Sequence, residues 1–170
     1  MNQEMIYRAT VGFLIKNRRI NLPIKKRKIG AGFRNGYGGK VVIPETLAEC
    51  VIRETLEEGR IKTWLQDLHR IALLRCHHQM ETGEKSIWIV HVFEIGFWLG
   101  EPRETTEMGQ PAWFPINALP IHELMPDDRI WLPRLFRDQK PLIVTAHYRP
   151  DQKTLDGEVG VEEVAALPEE

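Results

Sequence analysis

Three glutamates in the first half of the chain, Glu54, Glu57 and Glu58, stand at positions i, i+3 and i+4. On a helix that spacing puts their carboxylates on one face. Like charges so placed repel, at roughly 0.2–0.5 kcal/mol for each exposed pair. A divalent cation would turn the repulsion into a ligand set, and clustered hard oxygens suit Mg²⁺ or Mn²⁺. Arg53 lies four residues before Glu57 and can orient it. A solvated acidic face is the commoner fate of such a cluster. The glutamates alone therefore do not decide between a metal site and a charged surface.

The elements that must position them are legible nearby. The helix is expected from Thr46 to Glu58. Thr46 with Glu49 three residues on is a capping box, and Pro44 stands just before it. Leu47, Ala48, Val51, Ile52 and Thr55 fill an arc beside the carboxylates and can bury against a sheet. Upstream, Val11 to Ile15 and Ile20 to Ile24 form an expected hairpin about Asn17-Arg18-Arg19, followed by a glycine-rich loop holding Gly30, Gly32, Gly36, Gly38 and Gly39. His69 to Gln79 and Ser86 to Trp98 are two long expected strands joined at Glu81-Thr82-Gly83-Glu84. In the second, Ile87, Ile89, His91, Phe93, Ile95 and Phe97 alternate onto one face. Ala112 to Pro115 and Leu142 to Tyr148 are further strands. Asp128 to Arg137 is a second helix despite Pro133. Val161 to Glu170 is acidic, and its end is expected to be a mobile tail. Strands outnumber two widely separated helices, which indicates an α+β domain.

Composition narrows the function. The chain has 170 residues, 42% hydrophobic and 28% charged, with a formal net charge of -1. That is the size of one domain with a core of its own. The charge argues against a nucleic-acid backbone or an anionic membrane as the main partner. It leaves room for a nucleotide, which needs only a local positive site or a metal. Cys50 and Cys76 fit neither a zinc pattern nor a disulfide framework, so both are expected as reduced thiols in a cytoplasmic protein. Met1 to Thr10 lacks the apolar run of a signal peptide, and no stretch approaches the ~20 apolar residues of a membrane span. His77 and His78 point to opposite faces of a strand and cannot form one site. His91 is expected as a core histidine. Trp88, Trp98, Trp113 and Trp131 are expected to pack the core, Trp131 with a pocket role as the alternative.

The spacing from Gly39 to Ile61 adds more than the cluster. Gly39 is followed after five residues by Glu45, after seven more by Arg53-Glu54, and then by Glu57, Glu58 and Ile61. This resembles the box of the Nudix hydrolases. The six Gly, Glu and Arg positions coincide by chance about once in 10⁷ starting points at ordinary residue usage. Two positions depart from the pattern: Thr55 replaces an aliphatic residue, and Arg60 stands where a glycine is usual, with Gly59 one place early. The resemblance implies a Nudix fold, a mixed sheet sandwiched between helices. It also implies that Gly39, Glu54, Glu57 and Glu58 hold Mg²⁺ (or Mn²⁺) against a phosphate chain. A carboxylate, Glu57 or Glu58 or a glutamate outside the box, would take the proton of the attacking water.

The likeness extends over roughly Tyr7 to Val159. Lys25-Lys26-Arg27, Asn35-Gly36-Tyr37-Gly38-Gly39-Lys40, Glu107-Met108, Trp113-Phe114 and Met125-Pro126-Asp127-Asp128 onward to Pro133 resemble the oxidised purine nucleoside triphosphate hydrolases, MutT-like enzymes that remove 8-oxo-dGTP and 2-hydroxy-dATP from the nucleotide pool. The resemblance implies that Asn35 meets the purine edge, that Asp127 and Asp128 face the opposite edge, and that Glu107 joins the metal site. Lys25 and Trp131 are further pocket candidates. Met125 and Ile29 stand where this subfamily has a tryptophan and a phenylalanine lining the base, and Arg34 replaces another tryptophan. Base–aromatic stacking contributes roughly 1–3 kcal/mol, so a looser pocket is expected. The reading is one domain over residues 1–160 with a tail over 161–170. It is expected as a monomer that takes a small-molecule nucleoside triphosphate, without a membrane or a stable nucleic-acid partner. The alternatives are a Nudix hydrolase of dihydroneopterin triphosphate, a dinucleotide or capped RNA, and a Nudix-fold nucleotide sensor that cuts nothing.

Overall fold

The computed structural model describes residues 3–169. The strands are β1 (Met5–Lys16), β2 (Arg19–Asn21), β3 (Ile24–Lys25), β4 (Tyr37–Lys40), β5 (Leu68–Gln79), β6 (Lys85–Ile95), β7 (Met108–Gly109), β8 (Trp113–Pro115), β9 (Leu142–Tyr148) and β10 (Gly160–Glu163). The two α-helices are α1 (Leu47–Gly59) and α2 (Asp128–Asp138). The main sheet runs β10-β9-β5-β6-β1-β2-β8, with β4 also paired to β1, and β3 pairs with β7 in a small second sheet. It is mixed: β5 and β6 are antiparallel, whereas β1 with β6 and β5 with β9 are parallel.

Alternation along the strands divides the core into two faces. Phe13 and Val92 pack with Trp131, Leu132 and Leu135 of α2, together with Ala72, Leu74 and Val144. Their neighbours Leu14, Phe93 and Ile95 pack with Val51 and Leu47 of α1. The helices therefore cover opposite faces of the sheet, as expected of an α+β Nudix fold. No helix is long and apolar enough to cross a membrane among the described residues.

The β1–β2 turn places Asn17 and Arg18 at φ 52° and 57°, the geometry whose twist matches a tight hairpin. α1 opens on the expected box: Thr46 accepts from the Glu49 N–H at 3.2 Å, and Glu49 accepts from the Thr46 N–H at 2.7 Å. Its far end explains the shifted glycine. Arg60 takes the left-handed C-cap at φ 59°, which costs a non-glycine residue about 1 kcal/mol. Gly59 is needed for packing instead, because a Cβ there would lie 2.7 Å from the Tyr37 ring. Thr55 is fully buried, and its hydroxyl has no hydrogen-bond partner among the described residues.

Three expectations are corrected. The glycine-rich loop ends in a strand, β4, whose glycines let it lie against β1; a Cβ on Gly38 would fall 1.8 Å from the Thr10 carbonyl oxygen. β6 stops at Ile95, so Phe97 leaves the buried face and stacks on Trp64, while Leu99 bridges to Lys62. The acidic segment from Val161 begins inside β10, paired to β9, and basic side chains hold it there: Arg134 and Lys140 meet Glu163 at 3.5 and 3.3 Å. Pro133 lies within α2, which runs on through it.

Candidate active site

One cavity of about 610 Å³ collects most of the expected site residues. Its walls come from β1, β4, β5, β6, the loop after β3, the Glu107-Met108 segment, and the start of α2. Gly39, Glu54, Glu58 and Glu107 line it, and so do Lys25, Ile29, Asn35, Met125, Asp127, Asp128 and Trp131. Two expected residues do not. Glu57 has a side chain 59% exposed and reaches Arg53 at 3.3 Å. Arg53 stands behind the cavity as a brace. Its guanidinium meets both oxygens of Glu45 at 2.7 and 2.9 Å and Glu54 at 2.7 Å. The expected contact of Arg53 with Glu57 is present, but the shorter bonds of the guanidinium go to Glu45 and Glu54, which are the more buried carboxylates. Those bonds hold the Glu45 carboxyl down at about 2.

Local backbone sets the acidic end. β4 brings Gly38 and Gly39 beneath α1, and the Gly38 N–H donates to Glu58 Oε2 at 3.0 Å. A Cβ on Gly39 would lie 2.4 Å from Glu54 Oε1, so that position has room only for glycine while Glu54 keeps its place. Burial lifts the Glu58 carboxyl to about 7; the charges of Glu54 and Glu107 push the same way, against the Gly38 N–H and Lys25. Burial lowers the Lys25 ammonium pKa, partly offset by Glu58 and Glu107. Glu107 also pairs with Arg27 at 2.6 Å.

A second group of lining residues comes from β5 and α2, with Tyr148 of β9 bonded to Asp127 behind them. Asp127 and Asp128 are buried, and burial raises both carboxyls. Trp131 Nε1 donates to Asp128 Oδ1 at 2.9 Å, and Tyr148 donates to Asp127 Oδ1. Asn35 Oδ1 accepts from the Gly36 N–H at 2.7 Å, which leaves its NH₂ as the group to offer a ligand. Arg34 points elsewhere: it binds the Leu22 and Gln110 carbonyls at 2.7 and 2.9 Å and Glu123 at 3.1 Å. Sequence reasoning missed Cys76 and Trp88 as cavity walls. Trp88 is partly buried against the core, as expected, and also packs on Tyr7 at 4.9 Å with Lys40 beside it. His78 does stand at the cavity edge, and His77, on the other face, stacks on His147. Period-two alternation placed Cys76 and His78 on one face, but nothing local said which face holds the cavity.

The NUDIX domain profile matches residues 6–135. An oxidized purine nucleoside triphosphate hydrolase of Mus musculus is 34% identical over 157 residues, covering 91% of this chain and 93% of the relative. The protein of the same name from Danio rerio is 34% identical over 131 residues, 77% of this chain and 80% of its own. Among solved structures, a MutT protein from Bacillus halodurans superimposes with a TM-score of 0.75 at 21% identity, covering 92% of this chain and 97% of that one.

The chain belongs to the NUDIX family.

NUDIX hydrolases generally need a divalent metal, and the residues here fit one by the chemistry of their donors. Glu54, Glu58 and Glu107 bring hard oxygens to one cavity, the kind of donor a divalent cation takes. As the side chains stand, no three acidic, thiol or imidazole groups converge on one point among the described residues. Glu54 is turned to Arg53 and Glu107 to Arg27, and both carboxylates sit at the ends of rotatable chains.

Proposed function

We propose that this NUDIX chain hydrolyses purine nucleoside triphosphates, oxidised ones such as 8-oxo-dGTP or 2-hydroxy-dATP among them, to the monophosphate and pyrophosphate. Mg²⁺ is the proposed ion, with Mn²⁺ as a substitute. One observation carries the reading: a single cavity is lined by Glu54, Glu58 and Glu107 and also by Asn35 and the buried Asp127 and Asp128. Its volume, about 610 Å³, lies in the usual range for a small-molecule site. The Mus musculus and Danio rerio relatives carry the name of this activity.

The roles follow from position. Asn35 and the aspartate pair hold the base, while Lys25 and the glutamate cluster hold the phosphate chain. The divalent ion, when bound, neutralises phosphate oxygens and acidifies water. Arg53 keeps Glu54 in place, and the Gly38 N–H keeps Glu58 in place. Water attacks the β-phosphorus and its oxygen enters the pyrophosphate. The bond from the β-phosphorus to the α-bridging oxygen breaks, and the nucleoside monophosphate leaves. Glu57, Glu58 or a glutamate outside the box such as Glu107 takes the water's proton. Removing oxidised triphosphates this way keeps them from polymerases.

A second reading has an observation of its own. Met125 and Ile29 supply aliphatic walls, and Arg34 is committed to the loops around it. Such a pocket defines a base less sharply than stacked rings do, which favours a broader substrate range within the nucleoside polyphosphates.

The test is a product assay with Mg²⁺ and 8-oxo-dGTP, 2-hydroxy-dATP, dGTP and dihydroneopterin triphosphate, resolved by chromatography. Glu57→Gln and Glu58→Gln are the controls. The expected result is direct conversion of oxidised purine triphosphates to monophosphates, lost in at least one control. Turnover of dihydroneopterin triphosphate alone, or of nothing, refutes the reading. A preference for 8-oxo-dGTP over dGTP of several hundredfold would remove the case for a loose pocket.

A further inference from the structure

At the base end of the cavity, Tyr148 makes a two-way clamp on Asp127. The tyrosine is buried at the end of β9. Its hydroxyl donates to Asp127 Oδ1, while the Asp127 backbone N–H donates to the same phenol oxygen at 3.3 Å. An N–H can only donate. The phenol proton is therefore directed at the carboxylate, and Oδ1 must accept it. Oδ2 faces Cys76 Sγ at 4.0 Å, at most a weak donor. Asp128 has Trp131 Nε1 on Oδ1 at 2.9 Å. Both aspartates are buried, at 4% and 5% exposed, and two carboxyls so placed do not ionise independently. The one with more donors ionises first.

We propose that Tyr148 is a positioning residue that pins Asp127 as an acceptor and leaves Asp128 as the donor, so that the pair reads one donor–acceptor order on a purine edge.

The proposal rests on the purine pocket proposed above. The surroundings support a single anion. Cys76 and His78 come from β5, Tyr148 from β9, and Asp128 and Trp131 from α2. His78 lies flat on the Tyr148 ring at 5.1 Å and bonds Gln152 through Nδ1, and burial lowers its pKa, so it brings no firm positive charge. Burial raises both carboxyls, and the charge of Asp127 raises Asp128 further, whereas the Tyr148 bond draws Asp127 down. The chemistry of the ligand makes the order matter. A guanine-type edge presents an O6 acceptor beside an N1–H donor. An adenine-type edge presents an N6–H donor beside an N1 acceptor. The two orders are mirror images, and a pinned pair matches one of them. A pair free to exchange its proton matches both.

The experiment compares wild type with Tyr148→Phe, which keeps the ring on His78. The substrates are 8-oxo-dGTP and 8-oxo-dATP, which share the lesion and differ in the edge. In wild type the two kcat/KM values are expected to differ about tenfold or more, the scale of a charge-assisted hydrogen bond. In Tyr148→Phe the ratio moves toward one by roughly fivefold or more, with KM changing more than kcat. A merely structural tyrosine would lower both substrates equally, and that outcome, an unchanged ratio, or a wild-type ratio near one overturns the proposal. Asp127→Asn is expected to lose about tenfold more than Asp128→Asn on the preferred substrate. A ligand-free readout separates the two readings: carbon-13 carboxyl NMR against pH, where the Asp127 midpoint rises by ~1 unit or more in Tyr148→Phe. Unmoved midpoints overturn the pinning whatever the substrate. A shifted midpoint in a protein that turns over no purine triphosphate leaves the pinning standing and removes the purine-pocket reading.

Discussion

Replacing Arg53 with alanine removes the guanidinium shared by three carboxylates. Four of its contacts are geometrically strong: two to Glu45 at 2.7 and 2.9 Å, one to Glu54 at 2.7 Å, and one to the Lys40 carbonyl at 3.2 Å. The side chains of Glu45 and Glu54 are 15% and 12% exposed, and that of Arg53 is 30% exposed. Glu57, at 59%, adds almost nothing. A hydrogen bond to a charged group contributes roughly 1.5–3 kcal/mol when well buried. Partial exposure and screening cut each carboxylate bond here to about 1 kcal/mol. The three carboxylate bonds together give about 3 kcal/mol, or a fall in Tm of roughly 6–12 °C for a chain of this size. Arg53→Lys keeps the charge and loses the fork, so roughly half the loss is expected. Urea unfolding at neutral pH, with the m-value checked for constancy, measures it. The pH dependence gives a second handle. Arg53 holds the Glu45 carboxyl at about 2, below its ordinary 4.5. A lowered folded pKa contributes stability that is present above the unfolded value and lost as pH falls through the folded one. The gap between wild type and Arg53→Ala should thus hold above pH 4.5 and shrink toward pH 2. A gap under about 1 kcal/mol at neutral pH, or one that does not narrow in acid, would refute the brace and leave Arg53 as surface charge.

Two further outcomes are expected. Gly38→Ala and Gly39→Ala should fail differently. The first drives a Cβ to 1.8 Å from the backbone of β1 and costs about 3 kcal/mol or more in thermal unfolding, whereas the nearest atoms the second meets belong to the flexible Glu54 carboxylate, at 2.4 Å, so the protein folds and loses activity. The reverse order of effects would count against the arrangement of β4. The aspartate pair gives the other. Because burial raises both carboxyls, the pair's contribution to stability is full below the unfolded value near pH 4 and is lost as pH rises through the folded values. Asp128→Asn should therefore melt higher than wild type at pH 8 and alike near pH 4, and a constant offset across that range contradicts the shift.

What the sequence determined by itself is what one helix can carry. The spacing from Gly39 to Ile61, the capping box at Thr46 and the shared face of the glutamates lie within two dozen residues, where helical geometry fixes relations between neighbours. The long strands β5 and β6 were legible for the same reason, since a period of two is a local property. Tertiary structure decided the rest. Glu54 and Glu57 lie on one helical face in sequence, yet Arg53 and the approach of β4 leave the first in the cavity and the second in solvent. Lys25 from β3 and Glu107 from the segment before β7 line the same cavity as Glu54 and Glu58, and Cys76 and Tyr148 reach Asp127 from β5 and β9, across 51 and 21 residues of chain. The acidic end became a strand because β9 offered an unpaired edge and because Arg134 and Lys140 faced it. Pairing across such separations depends on which strands lie side by side. No local pattern of residue types records that order, and only the packed sheet sets it.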